Sequence, residues 1–209
     1  MKKLMFLALA IGFTGNVFAE GNQVFYRYGQ SQLDGPRQGE IFTDVKGATG
    51  KNDGKKGKNF SAGVDLKMFN CPLFPSNSLL GEIMLDYNRF KDQYVTNAIG
   101  TVAGTSPSKG NVPITELAVV VAPKYRFDGI MDGKLRPWII PIGMAFMVNS
   151  PPSDYTSYLD IGYHYGAGVE YKIVDMASVG VDYRRTQGSG DPGIAIKYSS
   201  FGAYLGFNF

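Results

Sequence analysis

From residue 20 onward, apolar residues recur at every second position. They do not follow the three-and-four spacing of an amphipathic helix, so the pattern predicts strands. In KNFSAGVDLKMF, Phe60, Ala62, Val64, Leu66 and Met68 share one side, and Ser61, Gly63, Asp65 and Lys67 the other. In SLLGEIMLDYNRF, Leu79, Ile83, Leu85 and Tyr87 oppose Glu82, Met84, Asp86 and Asn88. TELAVVVAPKYRF sets Leu117, Val119, Val121, Tyr125 and Phe127 against Glu116, Lys124 and Arg126. LDIGYHYGAGVEYKI sets Ile161, Tyr163, Tyr165, Ala167, Val169 and Tyr171 against Asp160, His164, Glu170 and Lys172. SVGVDYRR sets Val179, Val181 and Tyr183 against Gly180, Asp182 and Arg184. With NQVFYRYGQ, LRPWIIPIGMAFMV and IKYSSFGAYLGFNF, the chain offers eight such segments. From the second onward each runs to about ten residues or a little more, the length a tilted strand needs to cross hydrocarbon.

The connections alternate in length. Residues 33–57 and 91–111 are long and polar, whereas 128–134 and 174–176 are short. The Pro-containing segment 70–77 is a turn, and segments 149–156 and 186–194 carry Pro, Ser, Gly and Asp. Longer loops at one end and short turns at the other are the habit of an outer-membrane barrel. A soluble lipocalin-like barrel also alternates, but with its apolar face inside. The charged face here is rich in glycine and carries both signs. The apolar face carries aromatics near strand ends: Tyr87 and Phe90, Tyr125 and Phe127, Tyr163 and Tyr171, Phe201 and Phe207. Aromatic rings of this kind settle at the membrane–water boundary. Lipid tolerates no unpaired backbone, so the sheet must close on itself. The expected fold is therefore all-β: an eight-stranded antiparallel up-and-down transmembrane β-barrel over residues 20–209. The closing stretch FGAYLGFNF alternates to its last residue because its apolar side would face lipid, with Phe209 at the periplasmic edge. Pro123 and Pro141 fall inside two strands, where proline cannot donate to the ladder. A turn centred near Met131 puts both at one height on neighbouring strands, and a local bulge is expected there.

Composition adds a compartment. MKK, an apolar run of about ten residues, then Val17 and Ala19 at the small-residue positions read as a secretory signal peptide, residues 1–19. The run is too short for a helical membrane span, which needs about 20 apolar residues. Cleavage after Ala19 removes two lysines and takes the formal charge from +3 to +1. Bulk attraction to nucleic acid is not expected of so neutral a chain. Cys71 is the only cysteine, so an internal disulfide is excluded, and it does not follow the cleavage point as a lipoprotein's acylated cysteine would.

Three stretches carry a resemblance. LRPWIIPIGMAF, GYHYGAGVEYKI with SVGVDYRR, and the terminal Phe resemble the small outer-membrane barrels of the OmpA/OmpX and opacity type. The likeness is best over residues 134–209 and weak before them. It implies a monomer in the outer membrane of a Gram-negative bacterium. It implies contact with membrane lipid and lipopolysaccharide, and loops presented toward host or phage surfaces. It makes Phe209 the signal read by the outer-membrane barrel assembly machinery. No appended peptidoglycan-binding domain is expected after the barrel.

Candidate chemistry follows from the polar face. Side chains fill the lumen of an eight-stranded barrel, and buried charges must pair. Glu82, Asp86, Glu116 and Glu170 are expected to find Lys124, Arg126, Lys172 or Arg184, with Asp182 in the same interior network. Such a network acts as a structural plug; a gated polar path for small solutes, or a hydrophobic-ligand conduit resembling OmpW, is the alternative. His164 points inward by parity. Barrels resembling the PagL-type lipid A deacylase pair a lipid-facing His with a Ser two residues on, where this chain has Gly166. No catalytic group, cofactor or metal site is expected, since one His and one distant Cys make no ligand cluster. Lys51, Lys55, Lys56 and Lys58 crowd a loop whose only nearby acid is Asp53. Lysines suit phosphate, so contact with lipopolysaccharide phosphates is possible chemistry for this loop. No Gly-Lys-Thr/Ser phosphate loop occurs.

Overall fold

The computed structural model describes residues 21–34, 49–51, 56–70, 76–90, 93–96, 109–112, 115–150, 159–189 and 196–209. The expected signal peptide at residues 1–19, Lys55 and Cys71 lie outside the described residues. The strands are β1 (Gln23–Leu33), β2 (Thr49–Lys51), β3 (Lys56–Asn70), β4 (Asn77–Phe90), β5 (Gln93–Thr96) and β6 (Lys109–Val112). They continue with β7 (Thr115–Phe127), β8 (Leu135–Ser150), β9 (Leu159–Val174), β10 (Ala177–Gly188) and β11 (Lys197–Asn208). Eight of them close into an antiparallel barrel in the order β1-β11-β10-β9-β8-β7-β4-β3. The seam runs from Gln23 opposite Asn208 to Leu33 opposite Tyr198. The three short strands form a separate sheet, β2-β5-β6, from the connections after β1 and β4. The polarity of those connections carries no sign of this pairing.

The alternation sets which face is which. Leu85, Val119 and Val181 are 50%, 42% and 48% exposed on the outside, while Glu82 and Asp182 are 0% and 2% exposed inside. The exterior is thus a belt of Val, Leu, Ile and Met edged by aromatics. Phe69, Phe127, Tyr171 and Phe207 edge the turn end, and Tyr28, Phe60, Tyr87 and Phe201 lie toward the loops. An apolar surface this continuous marks a face made for a membrane or a partner. Phe90 departs from the expected aromatic edge. It is 1% exposed, in the lumen, with its ring 6.1 Å from that of Tyr198. Its even number puts it in phase with Glu82 and Asp86, and that phase overrides its apolar character.

The expected irregularity at the two prolines is present, and β8 carries it. Register shifts by one residue between Ile140 and Gly143 against β9, and between Val121 and Tyr125 against β7. Pro141 and Ile142 both face outward, an extra residue relative to both neighbours. A bulge lets a strand carry a proline without an orphaned ladder partner. It also resets the phase. Arg136, Trp138 and Ile140 point in before it, and Gly143, Ala145 and Met147 after it. Pro123 on β7 stays in register with Gly81. The β7–β8 turn is tight, with Met131, Asp132 and Gly133 all at positive φ.

Candidate functional site

The middle of the lumen is built from alternate residues of six facing strands. Lys124 on β7 donates to Asp65 on β3 at 2.7 Å and to Glu82 on β4 at 3.2 Å. Arg184 on β10 grips the other side of Glu82 and reaches Asp182 through Nε at 2.9 Å. Arg27 on β1 donates to Asp182 at 2.6 Å, to Ser200 on β11 at 3.2 Å and to Asn59 on β3. Three carboxylates thus face three cations, and each side chain of the ion-paired group is no more than 3% exposed. Charges so buried persist only because they are paired and hydrogen-bonded.

Aromatic rings pack against this layer. Lys124 Nζ lies 4.3 Å from the Trp138 ring centre and 5.3 Å from that of Phe25, and Arg184 lies 5.0 Å from Trp138. A desolvated cation over a ring gains about 2 kcal/mol. The Trp138 indole donates to the Tyr204 hydroxyl at 2.9 Å, which donates on to Glu170 at 3.2 Å. Glycine on the inward face makes the room. A Cβ on Gly168 would fall 2.6 Å from Trp138 Cζ2, and one on Gly180 2.3 Å from Tyr204 Cζ.

The expected pairings are only partly those observed. Glu82 takes Lys124 and Arg184. Glu170 pairs with Arg136, not with Arg126 or Lys172. Arg126 reaches Asp128 beside the β7–β8 turn at 2.6 Å. Lys172 is not a lumen residue in effect. It stands at the rim and donates to Asp175 at 2.9 Å, holding that exposed carboxyl below its usual range. Asp86 forms no salt bridge among the described residues. Asn59, Ser61 and Tyr198 donate to it at 2.7, 2.5 and 2.8 Å, because a carboxylate accepts as readily from neutral donors. Glu116 is 0% exposed, and neither carboxylate oxygen has a hydrogen-bond partner among the described residues. The charged groups that act on it most strongly are the acids Asp86 and Asp160. Replacing Glu116 with Gln removes an uncompensated buried acid while keeping its shape. The variant is expected to raise the unfolding midpoint of the barrel in urea by about 1–2 kcal/mol equivalent. A lowered midpoint would show that the carboxylate is stabilised in place.

Two members of the network, Arg27 and Arg136, went unread in the sequence although parity marks both. Arg27 alternates with Tyr26 and Tyr28, and Arg136 is in phase with Trp138. His164 faces inward at 1% exposure, with Nδ1 3.0 Å from the Thr186 hydroxyl. No group of three His, Cys, Asp or Glu side chains among the described residues is placed to hold a metal. Of the loop lysines, Lys56 and Lys58 belong to β3, where Lys56 pairs with Gln32 and Lys58 with Gln30 and Arg89. Lys51 lies in β2, where only the backbone is described. Phe209 ends the chain beside β1, its N–H donating to the Asn22 carbonyl at 3.0 Å.

No protein-family model matches the chain, and no curated protein does. Solved structures do. Neisserial surface protein A is 14% identical, with 90% of this chain and 97% of that one aligned and a TM-score of 0.56. The outer membrane enzyme PagL is also 14% identical, over 90% of this chain and 99% of its own, with a TM-score of 0.51. The fold is the closed eight-stranded barrel of outer-membrane proteins. One of these neighbours is named as a surface protein and the other as an enzyme, so the shared barrel leaves the activity open.

Proposed function

We propose that the chain is an outer-membrane barrel of a Gram-negative bacterium, exported through the leader at residues 1–19. In this reading it serves as a monomeric structural or surface-presenting protein, neither pore nor enzyme. The observation that carries this is the plug. The ion-paired layer of Asp65, Lys124, Glu82, Arg184, Asp182 and Arg27, with Trp138 and Phe25 against it, ties opposite walls of the lumen together. Opening a path means separating buried charges, which costs several kcal/mol. The non-catalytic reading is supported by His164. It faces this lumen rather than the lipid side, and both it and the Thr186 hydroxyl 3.0 Å from its Nδ1 are only 1% exposed, closed off from any substrate. The four connections at the end away from both termini would meet the outside, where host or phage surfaces are the partners to expect. Phe209 would be read by the barrel assembly machinery.

Two measurements test this together. The protein extracted from membranes is expected to migrate differently on a gel before and after boiling. In planar bilayers it is expected to give no conductance steps above baseline. Regular steps would favour the narrow-pore alternative. Unchanged gel mobility, with the protein in the soluble fraction, would remove the membrane reading.

A further inference from the structure

Outside the lumen, one charged patch interrupts the apolar exterior. Gln30, Lys58 and Arg89 stand in register across β1, β3 and β4, all pointing outward and exposed. The next row toward the loops is Gln32 and Lys56. The next row toward the barrel centre is Tyr28, Phe60 and Tyr87, with the first two rings 4.9 Å apart. Between these rows is a hollow of about 680 Å³ lined by Tyr28, Gln30, Lys56, Lys58 and Arg89.

Lys58 sits directly opposite Arg89, and like charges in that position destabilise a sheet. No acid among the described residues pairs with Lys56, Lys58 or Arg89. In the lumen, by contrast, three cations are each matched by a carboxylate. An anion lodged between Lys58 and Arg89 would turn their repulsion into attraction. The guanidinium fork suits phosphate geometry, and lysine adds a point charge. The aromatic row immediately below is amphipathic and apolar, so the ligand that satisfies both rows has an anionic head and a greasy tail.

We propose that Lys56, Lys58 and Arg89 bind the phosphate of a phosphorylated lipid in the loop-side leaflet, with its acyl chains along Tyr28, Phe60 and Tyr87. This rests on the membrane reading above. The strand-borne trio, not the loop lysines as a group, is the site, and Arg89 comes to it only through the β3–β4 register.

The test uses folded full-length protein in detergent, with retained lipid counted by native mass spectrometry. The probes are bisphosphorylated lipid A and the same lipid stripped of its phosphates. The parent is expected to retain the phosphorylated form selectively. A cation near a membrane phosphate is worth about fivefold in binding, so the K56Q/K58Q/R89Q variant should lose on the order of a hundredfold. Lys134→Gln, at the opposite end of the barrel, should lose nothing. Inorganic phosphate at the lipid's concentration should not displace the lipid. Equal retention by parent and triple variant would overturn the proposal. So would equal retention of the stripped lipid, or displacement by inorganic phosphate. A barrel that is heat-modifiable yet indifferent to lipid phosphate removes this inference alone, whereas a protein with no heat-modified form removes the membrane reading beneath it.

Discussion

Arg184→Met is expected to destabilise the folded barrel by about 3–5 kcal/mol, the cost of removing one partner from a buried ion pair. Arg184 joins Glu82 to Asp182, and its ring contacts include Phe25 at 5.6 Å and Trp138 at 5.0 Å. Once it is gone, Lys124 still serves Asp65 and Glu82, and Arg27 still serves Asp182. Three acids then share two cations in a space closed to water. The excess charge, rather than the lost packing, should dominate, and this separates into two variants. Combining R184M with E82Q removes the surplus acid and should recover more than half the loss. R184K keeps the charge but not the fork that holds two carboxylates, so it should fall between parent and R184M. Trp138 is the only tryptophan and lies against Arg184, so its fluorescence in urea reads the transition. An R184M midpoint equal to the parent's would refute the role of the ion-paired layer. A double variant no better than the single one would refute the charge account of it.

What could be read from the chain was phase. Every segment that alternated became a strand of the barrel, and the side of Leu85, Val119 and Val181 follows from counting by twos. The bulge was legible as well, because two prolines at one height admit few arrangements. What could not be read was partnership. In a sheet, register names the neighbour on the next strand. Across a lumen, contacts depend on how far the strands are staggered around the whole circumference. Arg184 on β10 meets Glu82 on β4 across the barrel, and Lys124 on β7 reaches past β4 to Asp65 on β3. No local spacing encodes either distance. Glu170 is a different case, since its partner Arg136 lies on the adjacent strand, directly in register. That pair was open to a register argument but depended on the position of the β8 strand relative to its proline bulge. Lys172 shows the opposite failure: its phase was right, but two residues from the strand end the lumen has given way to the turn and to Asp175.

Val181→Arg is the second substitution expected to cost heavily, about 2–4 kcal/mol for folding into phospholipid vesicles. Val181 lies near the middle of β10, flanked by Val169 and Ala203 on the neighbouring strands, with its side chain outward. An arginine there must either leave its guanidinium in hydrocarbon or thin the bilayer around itself. Leu159→Arg provides the control, since Leu159 opens β9 at the loop end and is 65% exposed. From that position the head group snorkels to water, and the cost should fall to about 0–1 kcal/mol. The difference between the two sites is the informative quantity. On a surface bathed in water, both arginines would be tolerated alike, since surface substitutions away from special features stay within about 0.5 kcal/mol. On a surface bathed in lipid, the cost follows depth. Equal urea midpoints for the two variants would therefore remove the bilayer from the account of this barrel, even with every ladder and ion pair left in place.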